Sequence, residues 1–401
     1  MARKKKETDS VEVKFELPCE YGVKFTRDMF GDENGALAEL LGADGKNEPR
    51  VMLVADRAVV EKTPELGRKI GKYFKDHGIK LAAKPFVVNG GEINKTNGMT
   101  TVRQVTEVAA DAALCRDGFL IVMGGGALID ATCYAAAAFN RGLRTVRVPT
   151  TLLAQCSGAC YPFVGTNILN RKDANSIFAV PYASIVDFEF LKTLSEDQRR
   201  EGISEAVKIA VATDAKFLAW IGKNAEKIAA GDEETLEEAI RKAAALHAAV
   251  VSKEMCRPGF YAERIFEFGH WSTHRIEALG RFRIPHAAAL AVGLCIDAAY
   301  AVAKKTVSEE DADIVGETLA KCGALNGIDK IAPILDRTDD ILRGIEEFRQ
   351  HTGGLPLFPA PLGKASDVES VDAEKMKEII LDLRKTCGEV AKIEAENAAR
   401  A

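Results

Sequence analysis

Long apolar runs are missing from this 401-residue chain: no stretch reaches the roughly eighteen uninterrupted apolar residues that a membrane helix needs. Positive charge is not in excess either. Fifty-four Lys plus Arg face fifty-nine Asp plus Glu, a net charge of −5, so no global basic field exists to hold a nucleic-acid backbone or an anionic lipid. A phosphorylated small molecule is not excluded, because it needs only a local cluster of cations. The nine cysteines, at 19, 115, 133, 156, 160, 256, 295, 322 and 387, are odd in number, include no CxxC pair and lack the dense spacing of small secreted domains. A disulfide framework is therefore not expected, and a reducing, cytoplasmic setting is. The basic start, MARKKK, has no apolar core behind it and is read as a solvated tail over residues 1–10. What remains, 47% hydrophobic with 28% charged, is the balance of a soluble globular protein of two or three domains.

The first half alternates short apolar runs with longer helical patterns. Strands are expected at Arg50–Ala55, Lys80–Val88, Gly118–Met123 and Thr145–Val148, with helices at Glu65–His77, Thr100–Leu114 and Asp130–Phe139. Strands apolar throughout, alternating with helices, predict an α/β fold with a parallel sheet covered on both faces. Beyond about Ser195 the pattern is helical: Leu236, Ile240, Ala243, Leu246 and Val250 recur at helical period within Thr235–Lys253. Further helices are expected around Ala287–Ala303, Asp311–Cys322, Ile334–Gln350 and Glu374–Lys392. The chain is divided accordingly into a nucleotide-binding α/β domain, 11–194, and an all-helical domain, 195–401, with the active site in the crevice between them.

Two glycine-rich turns follow expected strands. MGGGALID, Met123–Asp130, runs from a strand through three glycines into a small-residue helix, where a phosphate can approach backbone amides at a helix N-terminus. NGGEINK, Asn89–Lys95, ends an earlier strand with a carboxylate and a lysine three apart. Neither is a GxGxxG fingerprint, and either alone reads equally as a structural turn. Both lie where α/β proteins place ligands.

Histidine is scarce, with six in the chain, yet three fall close together: FGHWSTH puts His270 and His274 four apart on one helical face, and His286 follows in RIPHAAAL. Such spacing suits a shared metal or a proton-transfer group, although helical neighbours are often only neighbours. In GISEAVKIA, Glu205 and Lys208 share a face of an otherwise apolar helix, and a buried pair there needs partners or a metal. One Glu and two His suit a divalent metal, zinc first.

Taken in order, GGE with Lys95, GGG with Asp130, NRG, VPTTLLAQ, DFEFLKTL, the Glu205/Lys208 pair, FGHxxxH and a last His resemble the sugar phosphate cyclases, whose best-known member is dehydroquinate synthase. The phrase FEFGHWSTHRIEAL is most similar to a divergent dehydroquinate synthase-like branch encoded in bacterial eboABCDEF-type clusters. The resemblance implies an NAD- and metal-dependent carbon-oxygen lyase that eliminates phosphate from a ketose phosphate and closes it to a carbocycle, with NAD recycled. It implies metal ligands Glu205, His270 and His286. Nucleotide contacts are implied at Asp56, Glu92, Lys95, Gly125, Gly126, Asp130, Thr150, Thr151, Thr193 and Leu194. Substrate contacts are implied at Lys172, Lys208, Arg264 and His274, and Arg141 is implied to reach a neighbouring subunit's substrate phosphate, hence a homodimer.

The departures cluster on the substrate side. By ungapped counting Ser157 stands where the family has Asp and Phe163 where it has Lys, while Asn167 and Lys172 persist and Asp173 replaces an Asn. Ala287 and Ala288 replace Gly-Glu, His247 a lysine, and Glu267 an Asn. A phenyl ring cannot do the work of an ammonium on an anion. Cofactor and metal binding with an altered substrate is the leading expectation. A non-catalytic NAD- or metabolite-binding homologue and a metal-dependent polyol dehydrogenase stay open as alternatives. Cys156 and Cys160 are read as buried small apolar residues.

Overall fold

The computed structural model describes residues 10–44, 47–96, 99–254 and 264–400; the tail expected over 1–10, except Ser10, and Cys256 fall outside them. Seven strands form one parallel sheet. They are β1 (Val23–Thr26), β2 (Arg50–Asp56), β3 (Lys80–Leu81), β4 (Phe86–Val88), β5 (Phe119–Gly124), β6 (Arg144–Pro149) and, beyond a hairpin made by β7 (Phe163–Ile168) and β8 (Arg171–Phe178), β9 (Ala183–Asp187). The order is β1-β9-β6-β5-β2-β3, with β4 also beside β2.

Alternate side chains of the central strands feed two cores. Leu53, Ala55, Ile121 and Met123 pack under Ile70, Tyr73 and Phe74 of helix Leu66–Asp76. Met52, Val54, Leu120 and Val122 meet Val102 and Val105 of helix Thr100–Asp111 and Leu128 and Ile129 of helix Gly126–Ala138. Each such burial contributes about 1.5–3 kcal/mol before chain entropy is set against it, and both faces are covered as the apolar strands require.

Three boundaries differ from expectation. Lys80–Val88 is two short strands, both beside β2, because Pro85 has no N–H to give the ladder. The helix expected from Asp130 starts at Gly126, with Gly125 (φ −72°, ψ 172°) as its cap, so the turn uses fewer residues than the glycines suggested. The helix expected over Ile334–Gln350 is broken at Asp336 and Arg337, which lets helix Thr338–Thr352 fold back on helix His270–Leu279.

The substituted stretch, for which no strand was expected, contains the β7–β8 hairpin. Its two-residue turn puts Leu169 and Asn170 at φ 54° and 58°, the left-handed region that matches the twist of paired strands. Beyond β9, apart from the two-residue strands Phe358–Pro359 and Ala365–Ser366, the described elements are helices. Helix His286–Ala303 is apolar and long enough to cross a membrane by length and composition, but Ala289, Leu290, Leu294, Ile296 and Tyr300 are fully buried core residues.

Candidate active site

The C-terminal ends of β2, β4, β5 and β6 converge, the edge at which parallel sheets bind ligands. Asp56 ends β2 and caps the next helix by accepting from Ala58 N at 3.0 Å. A Cβ on Gly90 would collide with the Asp56 carboxylate, which is why that turn needs a glycine. At the next strand, Gly125 lies against Thr151, 3.1 Å from where its Cβ would be, and caps helix 126–138 with no side-chain acceptor on the first amides. Thr150 N donates to Gly124 O at 3.0 Å, tying the two turns together. Two glycines without side chains and helix amides without a side-chain cap fit a dinucleotide's phosphates. Thr193 spends its hydroxyl on Phe190 O and receives Lys62 Nζ on its carbonyl, with Leu194 next to it, half-buried.

A buried charge network leads away from this edge. Lys95 Nζ is 2.7 Å from Asp130 Oδ2 and 3.8 Å from Glu92 Oε1, and it also pairs with Asp173 on β8. Burial alone would lower the Lys95 pKa, but the three carboxylates outweigh it and hold the ammonium well above its usual range. Burial pushes Asp130 up to about 6 despite Lys95. Asn167 on β7 donates to Glu92 Oε1 at 2.7 Å and to Thr96 Oγ1 at 2.9 Å, and receives Asp173 N on its own carbonyl. The hairpin thus clamps the turn and short helix that follow β4.

Its next residue reaches the helices. Lys172 Nζ lies 2.8 Å from Glu277 Oε1, 3.0 Å from His286 Nδ1 and 3.6 Å from Glu92 Oε2. Glu277 is fully buried, and its Oε2 is 2.9 Å from His286 Nδ1. With Nδ1–H given to Glu277, His286 Nε2 keeps its lone pair. Sequence reasoning missed Glu277, although it stands seven and three residues along from His270 and His274 on one helical face.

His270, His274 and His286 come together with ligand atoms all within 4.8 Å of one another. The His270 and His274 rings stack at 4.9 Å, and the His270 and His286 centroids are 5.1 Å apart. Two glycines allow this: Gly269 at φ 77° turns the chain into helix 270–279, and a Cβ on Gly293 would sit 2.5 Å from Gly269 O. Buried Asp297 fastens the junction by accepting from Gly269 N at 2.8 Å and Trp271 Nε1 at 2.7 Å; burial pushes its pKa up to about 7. Burial also drives His274 and His286 well below the usual histidine value, so both are neutral. His270 is buried with neither ring nitrogen hydrogen-bonded, and Glu267 Oε2 is 3.2 Å from its Nδ1. Neutral, converging, partly orphaned imidazoles are a donor set that fits a divalent metal.

The other expected residues divide. Glu205 is close enough for its charge to act on His270 and His286, yet its carboxylate is engaged by Lys208 at 2.8 Å. Burial raises and Lys208, then His270, lower the Glu205 pKa, with the lowering stronger. Arg264 is committed elsewhere, donating to Leu355 O at 2.7 Å and pairing with Asp367. Arg141 is exposed beyond the far end of helix 126–138, on the order of 20 Å from the glycine turn at 1.5 Å per residue. It does not join its own chain's site. Ser157 turns its hydroxyl to Leu153 O, Phe163 packs between Tyr161 and Phe178, and Ala288 is core. Cys156 and Cys160 are buried, and burial pushes the Cys160 thiol up to about 12.

His247 is the least satisfied of these groups. It stacks on Phe266 at 4.0 Å, meets Tyr161 edge-on, is 2% exposed and has no hydrogen bond at either nitrogen. Burial, opposed by the smaller effect of Glu205 and aided by Lys208, pushes its pKa down to about 3. The unfolded chain therefore takes up this proton first, and stability falls as pH drops from about 6.5 towards 3. His247→Leu is expected to stabilise the fold by about 1–3 kcal/mol at neutral pH. It should also lessen the acid-side loss by about 1.4 kcal/mol per pH unit. Urea unfolding at several pH values checks both, and an unchanged slope would count against a buried neutral imidazole.

Comparison with known proteins agrees with this architecture. Residues 85–201 match the family model described as 3-dehydroquinate synthase N-terminal, and residues 202–333 match 3-dehydroquinate synthase C-terminal. A 3-dehydroquinate synthase from Acetivibrio thermocellus is 33% identical over 261 residues, 64% of this chain and 71% of the relative. A 2-epi-valiolone synthase from Actinosynnema mirum is 28% identical over 74% of this chain and 77% of its own. Among solved structures, a 2-epi-5-epi-valiolone synthase from Streptomyces hygroscopicus with NAD+ and Zn2+ bound superposes with a TM-score of 0.82 at 19% identity, over 94% of this chain and all of the other. With matches running from 85 to 333 and a relative of this identity covered over most of its length, the chain belongs to the 3-dehydroquinate synthase family, within the sugar phosphate cyclase superfamily.

Proposed function

We propose that this protein is a cytoplasmic, NAD- and metal-dependent carbon-oxygen lyase that eliminates phosphate from a ketose phosphate and closes the product to a carbocycle, on a substrate other than that of dehydroquinate synthase. One observation carries the reading: the glycine cradle and the histidine cluster are the two ends of one chain of contacts, Asp130, Lys95, Glu92, Lys172, Glu277 and His286. Residues 11–194 would supply the nucleotide end, through Asp56, Glu92, Lys95, Gly125, Gly126, Asp130, Thr150, Thr151, Thr193 and Leu194. Residues 195–401 would supply the metal end, with Glu205, His270 and His286 as ligands, zinc first. When bound, the two groups supply reversible hydride transfer and polarisation of the substrate oxygen being oxidised.

The chain's own residues do the rest. His274, neutral beside His270 and His286, is placed to accept or return a proton at the substrate. Lys172 holds positive charge at the junction, since Glu277 and Glu92 outweigh the effect of burial and raise its pKa. Phe163 between two aromatic rings, with neutral His247 beyond Tyr161, makes an apolar, uncharged wall where dehydroquinate synthase carries lysines, and this supports an altered substrate. Arg141, remote from its own site, fits a homodimer in which it serves the partner's.

The test is phosphate release from a panel of ketose phosphates with NAD and zinc present. Release without net change in nicotinamide absorbance is expected, with His270→Ala slower by at least about 100-fold. Accumulating NADH would make it a dehydrogenase. Failure to bind NAD in calorimetry with zinc present would overturn the cofactor reading.

A further inference from the structure

Residues 11–17 read VEVKFEL, a strict alternation of apolar and charged side chains that belongs to a half-buried strand. In the monomer that half is bare: Val11, Val13, Phe15 and Leu17 are 91%, 77%, 81% and 71% exposed, and residues 11–17 lie in no strand. Four large apolar groups in a row, with a free backbone edge, form an interaction surface rather than scatter. Pro18, which has no N–H, ends the segment.

The segment is complementary to itself. Laid antiparallel on a second copy with Phe15 opposite Phe15, it puts Val13 opposite Leu17 on the apolar face and Lys14 opposite Glu16 on the charged face, in both directions. In this register every pair formed by residues 13–17 is favourable, each at the usual scale of about 0.2–1 kcal/mol, and the arrangement is two-fold, as a homodimer requires. Where the segment joins the body, at Glu20, Tyr21 and Gly22, it borders a groove of about 980 Å³ along the starting ends of the strands. Leu40, Leu143, Pro181 and Tyr182 give the groove an apolar wall, and Arg144, stacked over Phe119 at 4.1 Å, has a buried Nε without a hydrogen-bond partner. Gly142, next to Arg141, lines the same groove.

We infer that residues 11–17 are a dimerisation arm: two copies of this chain join by antiparallel pairing of their arms about Phe15, with the apolar face of the paired arms laid on the grooves at their bases. This rests on the two-subunit reading above and names the surface that makes it, at the end of the sheet that carries Arg141.

The test is sedimentation equilibrium of the full chain. A dimer is expected at micromolar concentration, and Val13→Glu with Phe15→Glu should weaken association by at least about 100-fold, with NAD binding and the far-ultraviolet spectrum unchanged because the arm is exposed. Lys14→Glu or Glu16→Lys alone sets like charges opposite each other and should weaken association by about tenfold, whereas the two together should restore it. A monomeric wild type would overturn the arm and the two-subunit reading alike. A dimer that survives Val13→Glu with Phe15→Glu, or charge variants without rescue, would overturn the arm alone.

Discussion

Glu277→Ala is expected to destabilise the fold by about 3–5 kcal/mol, because it leaves the buried Lys172 ammonium without its nearest counter-charge. Glu92, at 3.6 Å, and the charge of Asp173 would remain near it. The same change removes the acceptor that fixes the His286 ring, so zinc affinity should fall by about 10–100-fold. Glu277→Gln separates the two effects: the side chain keeps its volume and a carbonyl for Lys172 or for His286 but loses the charge that holds both. Titration calorimetry with zinc and urea unfolding of both variants measure the two quantities. Glu347→Gln, at a partly exposed pair with Arg275, serves as the control and should cost under about 1 kcal/mol. Equal effects at 277 and 347 would show that Glu277 is an ordinary ion-pair partner.

Lys95→Met should have the other large effect, and its signature is pH dependence. The substitution leaves Asp130, Asp173 and Glu92 facing one another without the ammonium that binds them. Their folded pKa values must then rise above the unfolded ones, so the folded state holds extra protons and loses stability as pH climbs above about 4. A penalty of about 3–5 kcal/mol is expected at pH 8 and a smaller one at pH 5. Dinucleotide binding should weaken as well, since the cradle opens beside Asp130. Chemical unfolding of wild type and variant at both pH values decides it; a penalty that does not change with pH would mean that the three carboxylates are not jointly held by Lys95.

Much of this fold is legible in the amino-acid sequence. Apolar runs such as RVMLVA and GFLIVM are buried on both faces, which is the pattern a central parallel strand forces on a sequence, and β2 and β5 lie where the runs lie. His270 and His286 stood out because histidine is rare here. What stayed hidden has physical reasons. β8 reads RKDANSIF, polar and half exposed, because it pairs only with β7 and faces the site rather than a core. Glu277 looked like one more surface carboxylate in a helix, since its burial depends on Lys172 arriving from 105 residues away. Arg264 and Lys208 could be named, but their commitment to Asp367 and Glu205 is a tertiary fact that no spacing encodes.

The placement of Lys172 has one more consequence. A single ammonium stands between Glu92, in the short helix after β4, and Glu277, on the histidine side. The two ends of the site therefore share one cation. An occupant that draws Lys172 towards either end alters the electrostatic compensation left at the other, and by thermodynamic linkage the influence runs equally in both directions. Occupancy at one end and affinity at the other are therefore expected to be coupled, with the two ends filled as a cooperative unit rather than as independent halves.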